Sequence, residues 1–173
     1  MVVWEGSKPA FEERFRELLN AYGASLGRLA ASYTADASER DDLVQEIAIA
    51  IWRALPRFRS ESSERTFIFR IAHNRAISHL AQRRPRSGSI EDALELPDHR
   101  PSPEDGVSKE QVTARLLAAI QHLPVQYRQV ITLALEDLNY SETAEILGIS
   151  ESNVGVRLSR ARQLLRQMLE VSK

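Results

Sequence analysis

The chain has 173 residues, with 23 lysines and arginines against 24 aspartates and glutamates, a net charge of -1, 43% hydrophobic residues and no cysteine. The missing cysteine excludes disulfides, thiol nucleophiles and cysteine-zinc sites, and the near-neutral total means that any nucleic-acid surface must show in the local distribution of charge. No basic segment followed by an apolar run opens the sequence, and no apolar stretch approaches the roughly 20 residues of a membrane span, so a cytoplasmic chain without membrane insertion is expected.

In chain order, residues 9–34 carry Phe11, Phe15, Leu18, Leu19, Leu26, Leu29 and Ala30 at helical spacing, with a bend expected near Tyr22 because Gly23 and Gly27 weaken the middle. The loop 34–39 leads to a second helix over 40–55, apolar through Leu43, Ile47, Ala50, Ile51 and Ala54. Its approach and first turns are acidic, with Asp36, Glu39, Asp41, Asp42 and Glu46 against Arg40 alone. One or two carboxylates would satisfy the helix dipole, so a partner with a basic surface is a second cause to weigh. Pro56 ends this helix and a polar connector follows. The third helix, over 66–83, is apolar through Phe67, Ile68, Ile71, Ala72, Ala76 and Leu80, with Arg70, His73, Asn74 and Ser78 as a polar stripe beside that face. Phe67 and Phe69 read as core residues or as stacking rings, the core reading being favoured for Phe67. Residues 57–86 hold eight arginines against Glu61 and Glu64, the most basic stretch of the chain. Such a surface suits nucleic acid, with cations on the backbone and flat or amide groups on exposed bases.

Residues 85–107 are rich in Pro, Ser, Gly and acid without sustained period, and read as a flexible, solvated acidic linker. A second unit begins near Ser108, with one helix through Val112, Leu116, Ala119, Ile120 and Leu123, and another opened by Pro124 and carried by Tyr127, Val130, Ile131, Ala134 and Leu135. Two further helix starts follow. Asn139 can cap the first with Glu142 completing a capping box, and Ser150 can cap the second just after the break at Gly148 and Ile149. A short helix, a tight glycine turn and a longer helix make the helix-turn-helix pattern. The last helix buries Val154, Leu158, Ala161, Leu165 and Leu169; its opposite face carries Ser152, Asn153, Val156, Ser159, Arg160 and Gln163, flanked by Arg157 and Arg162. Short polar groups near the helix start, then arginines, suit a helix entering a major groove.

Enzyme chemistry finds no footing. His73, His79, His99 and His122 lack the spacing and nearby carboxylates of a helical metal site, there is no phosphate loop or serine elbow, and pairs such as Asp41 and Asp42 diverge on a helix surface. No catalytic residue, metal, cofactor or small-molecule substrate is expected.

Taken together, the motifs resemble the extracytoplasmic-function sigma factors, the smallest class of the bacterial sigma-70 family. DDLVQEIAIAIWRALPRF looks like region 2.2, ERTFIFRIAHNRAISHLAQRR like regions 2.3 and 2.4, and LPVQYRQVITLALEDLNYSETAEILGISESNVGVRLSRAR like region 4. The resemblance implies an all-α chain of two small helical domains, a three- or four-helix region 2 at 1–84 and a four-helix region 4 at 108–173, joined by the linker 85–107. It implies binding to core RNA polymerase, with Asp41, Asp42, Leu43, Gln45 and Glu46 on the β′ clamp helices and region 4 on the β flap. It implies reading of the minus-10 promoter element by the loop and third helix, through Ser60, Ser62, Ser63, Arg65, Arg70, His73 and Asn74, with a base flipped from the stack. The minus-35 element would meet Ser152, Asn153, Val156, Arg157, Ser159, Arg160 and Gln163, and an anti-sigma factor would regulate the protein. Two positions depart from the family pattern. Phe67 and Phe69 stand where tryptophan and tyrosine are frequent, and Gly155 stands at a position often basic in the family, beside an apolar Val156 that could touch a thymine methyl but cannot read guanine, which implies a different upstream element. Two rival readings are a free-standing regulator that binds duplex DNA tightly without polymerase, and a degenerate relative that occupies core polymerase without initiating.

Overall fold

A computed structural model describes residues 8–59, 61–83 and 108–171, and its elements are α1 Lys8–Ala31, α2 Ala37–Ala54, a 3₁₀ turn Leu55–Arg57, α3 Glu64–Arg83, α4 Lys109–His122, α5 Val125–Leu135, α6 Tyr140–Leu147 and α7 Glu151–Val171. The fold is all-α, as the periodicity predicts. Ser60 and the linker 85–107 lie outside the described residues.

Helix α1 runs unbroken through the expected bend. Gly23 and Gly27 have open space where a side chain would stand, so they cost only propensity, and burial of Leu18, Leu26, Leu29 and Ala30 outweighs that cost. Helix α2 begins three residues before the expected start, because Asp36 caps it by accepting the Glu39 N–H at 2.9 Å. Leu43, Ile47 and Ile51 of α2 meet Ile68, Phe69, Ala72 and Ala76 of α3 and Leu26 and Leu29 of α1 in one apolar core. Trp52 closes its edge against Phe11 and Phe15, ring centroids 4.4 and 4.9 Å away.

The buried face of α3 is rotated from the expected one. Phe69 is 1% exposed, whereas Phe67 is half-buried and lies tilted on Phe58 at 4.6 Å. Phe69 is therefore the core ring and is not available to stack on a base. His73, expected on the polar stripe, is buried.

What covers it is the second group of helices. Ala119, Ile120 and Leu123 of α4 and its exit pack with Val130 and Ile131 of α5 and Leu158, Ala161 and Leu165 of α7. The local signals read from the sequence are in place, with the capping box at Asn139 with Glu142 and Gly148 left-handed at φ +65° after α6, and the structure adds a second capping box at Ser108 with Gln111. Helix α5 alone departs. Val130, Ile131, Thr132 and Leu133 are consecutive and all buried, while Leu135, expected inside, is 52% exposed. One side of α5 packs on α7; from its other side Leu133, together with Leu138 and Ile146, enters the apolar cluster of α1, α2 and α3. Helix α6 packs on α3, so the two groups of helices share a core.

Candidate nucleic-acid interface

The roll of α7 is fixed by Val154, Leu158, Ala161 and Leu165, all buried. That leaves Ser152, Val156, Ser159, Arg160 and Gln163 exposed, Val156 most of all at 58%. Asn153 and Arg157 are half-buried and linked, the Arg157 Nε donating to Asn153 Oδ1 at 3.0 Å. Ser150 caps the helix as its position predicts, accepting the Asn153 N–H at 3.3 Å. The sequence reading missed two members of this face. Tyr140 and Arg166 join Gly155, Ser159, Arg162 and Gln163 around a cleft of about 400 Å³. Gly155 was the available signal, since an added Cβ there would stand 3.4 Å from the Tyr140 ring.

On α2, Asp41, Asp42, Gln45 and Glu46 are exposed along one outer face, which Ile49 extends at 51% exposure. Leu43, nominated with them, is instead fully buried, because it is one of the residues by which α2 packs on its neighbours. Glu39 also leaves this group. Its carboxylate accepts the Ala35 N–H at 2.7 Å, lies 2.7 Å from His79 Nε2 and pairs with Arg83, fastening the start of α2 to the end of α3. Burial pushes the Glu39 carboxyl up, but the Ala35 N–H, His79 and Arg83 together outweigh it and hold the group below its ordinary range.

The α3 residues are brought together but not all presented. Ser63 caps α3, its hydroxyl accepting the Thr66 N–H at 3.0 Å, and Ser62 accepts from Arg70 at 3.3 Å. The Arg65 guanidinium donates to the Glu136 carbonyl, and Arg70 stands 3.7 Å from the Glu145 carboxylate. His73 Nε2 takes the Gln129 amide N–H at 3.2 Å, and burial lowers its pKa to about 4. The imidazole is therefore neutral with its proton on Nδ1, which has no partner. Asn74 is exposed at the mouth of a cleft of about 390 Å³ shared with Ser78, Gln129, Ile146 and Leu147. Among the described residues there is no cluster of three or more potential metal ligands, and no helix is long and apolar enough to cross a membrane.

Comparison with known proteins agrees with this arrangement. Residues 18–86 match Sigma-70 region 2, and residues 113–165 match Sigma-70, region 4. The chain is 33% identical over 165 residues to the RNA polymerase sigma factor NccH of Alcaligenes xylosoxydans xylosoxydans, covering 92% of this chain and 88% of the relative. It is 31% identical to the ECF RNA polymerase sigma-E factor of Escherichia coli, covering 95% and 91%. Among solved structures, CnrH in complex with the cytosolic domain of CnrY superposes with a TM-score of 0.71 at 26% identity, over 94% of this chain and 91% of that one. The sigma factor RpoE in complex with the anti-sigma factor NepR, from Bartonella quintana, shares the fold at a TM-score of 0.70 and 22% identity, over 93% and 99%. With both regions matched in order and the likeness extending over nearly the whole length, the chain belongs to the sigma-70 family, as an extracytoplasmic-function RNA polymerase sigma factor.

Proposed function

We propose that this sigma factor docks on core RNA polymerase through Asp41, Asp42, Gln45 and Glu46, with residues 108–173 on the β flap, and directs initiation at a two-part promoter of a specialised regulon. The observation that carries the reading is the α7 face, where a capped helix start, buried Val154, Leu158 and Ala161, and exposed Ser159, Arg160 and Gln163 leave one polar, basic side for a major groove. Val156 can touch a thymine methyl there but cannot bond guanine. Arg162 and Arg166, beside Tyr140, suit backbone phosphates. The minus-10 element is assigned to Ser62, Ser63, Arg65, Arg70, His73 and Asn74, with Ser60, and to the half-buried Phe67 as the stacking ring. Flipping a base costs a few kcal/mol, which binding of the opened strand must recover. The protein carries no catalytic group of its own, works in the cytoplasm alongside the polymerase, and is held by an anti-sigma factor, as the NepR complex of the Bartonella relative suggests.

The test separates the faces. Asp41→Ala with Asp42→Ala should weaken co-purification with core polymerase at least tenfold. Asn74→Ala and Arg160→Ala should leave it unchanged, while the first loses promoter opening and the second loses upstream protection. Unchanged core binding in the double variant would overturn the docking assignment.

A further inference from the structure

We propose that the cleft between the start of α6 and the outer side of α7 is a seat for a nucleoside phosphate free in solution, and that its occupancy excludes upstream promoter DNA from α7. Gly155, Ser159, Arg162, Gln163 and Arg166 recur at i, i+4, i+7, i+8 and i+11, so they form one wall on a single side of the helix. Tyr140, at the first position of α6, forms the other wall. The space between them is about 400 Å³, within the roughly 300–1,000 Å³ of small-ligand clefts. Gly155 keeps it open. A Cβ there would already stand 3.4 Å from the Tyr140 ring, so a side chain longer than that of alanine would reach into the space.

The walls suit an anion with a flat ring attached. No carboxylate lines the cleft, and among the described residues neither Arg162 nor Arg166 has an acidic partner within ion-pair distance. Two guanidinium groups four residues apart on a helix repel, and an anion between them removes that cost. Arginine grips a phosphate through two parallel N–H bonds, which adds geometry to charge. The exposed Ser159 hydroxyl and Gln163 amide can bond a sugar or a base edge, and the Tyr140 ring, 46% exposed, offers a flat face and a hydroxyl. A backbone phosphate of duplex DNA would engage the arginines alone, because paired bases stay in the stack and reach neither the ring nor the amide. The full set of groups therefore favours a free nucleotide over a strand. The consequence for transcription rests on the assignment of the α7 face to the upstream element. Ser159 and Gln163 belong to both surfaces, so a nucleotide in the cleft and DNA on α7 exclude one another.

The full chain can be titrated calorimetrically with guanosine 5′-diphosphate, adenosine 5′-diphosphate and inorganic pyrophosphate at one ionic strength. At least one of the two nucleotides should bind tenfold or more tightly than pyrophosphate, which carries comparable charge without a ring. Gly155→Leu fills the cleft and keeps every charge, and Arg166→Gln changes an exposed side chain of α7; each should weaken that nucleotide at least tenfold. Arg16→Gln, which removes one charge from the exposed surface of α1, should leave its affinity unchanged. Arg166→Gln keeps the test standing if Gly155→Leu loses helix content. Nucleotide binding no tighter than that of pyrophosphate, or equal in the parent and both α7 variants, overturns the seat. In the holoenzyme the same nucleotide should strip protection from the upstream element, and protection that survives saturating nucleotide overturns the exclusion. Promoter duplexes whose upstream phosphates are made neutral one at a time, as methylphosphonates, address the other source of a phosphate. If Gly155→Leu abolishes sensitivity to one such linkage while neither nucleotide binds the parent, the cleft belongs to the DNA backbone and the proposal falls. Arg160→Ala reports separately on the underlying reading, because upstream protection that survives it would remove the α7 assignment and not the seat.

Discussion

Gly155 and His73 are the two residues whose environment most changes what their identity alone implies. Glycine costs α7 about 1 kcal/mol of helix propensity relative to alanine, and the 3.4 Å separation between an added Cβ and Tyr140 is an ordinary contact. Gly155→Ala should therefore stabilise the protein by about 0.5–1 kcal/mol in urea unfolding. A loss of stability would show that Tyr140 needs the space. His73 gives a pH dependence. Its pKa in the folded chain is depressed, so the folded state disfavours the proton while the unfolded chain takes it near the ordinary value of 6.5. Stability is then unpenalised above about pH 6.5 and loses about 2 kcal/mol by pH 5 as the unfolded chain protonates. The urea midpoint should drop between those values, and His73→Gln should flatten the drop; equal drops in parent and variant would show His73 open to water.

At the scale of the element, the helix-turn-helix was legible because its signals are local. Asn139, Glu142, Gly148 and Ser150 act within four residues of themselves, and each does in the structure what its spacing implies. Gly148 is the position least able to change, since φ +65° strains any side chain even though space is open around it. Gly148→Ala should cost about 1–2 kcal/mol, read as a lower melting temperature together with loss of upstream DNA protection. Helix α5 was misread for the opposite reason. A one-face reading chose Leu135 and passed over Leu133, but a helix with four consecutive buried residues is packed from two sides, and its second neighbour lies in the other half of the chain. The all-round apolar run VITLAL was the available sign.

For the whole molecule, what periodicity could not reach is contact between the halves. The α7 face depends on one helix and could be read residue by residue; the α3 stripe depends on what lies over it, which turned Asn74 outward and His73 inward. Leu43 was carried into the docking face by resemblance, although its own spacing had already placed it on the apolar side of α2. Contact between the halves also sets an asymmetry between the partners of one ion pair, Arg28 of α1 and Glu136, whose side chain is 4% exposed. Arg28→Ala strands that buried carboxylate and should destabilise the fold by about 1–3 kcal/mol, a range reduced because the Arg28 side chain is 62% exposed and screened. Glu136→Ala returns Arg28 to water and should cost less. Chemical denaturation of both variants checks the order, and equal losses would argue against a desolvated Glu136.

The central claim, that this chain gives core polymerase its promoter, is tested most directly by run-off transcription from a library of random upstream sequences, with and without the protein, followed by sequencing of the products. The account predicts start sites that depend on the protein, each preceded by two short motifs at a fixed separation, the upstream one unlike a guanine-contacting element at the position facing Val156. Co-purification with core polymerase but no starts would make the chain an occupier of the polymerase, and failure to bind core polymerase at all would contradict the account from Asp41 to Glu46 onward.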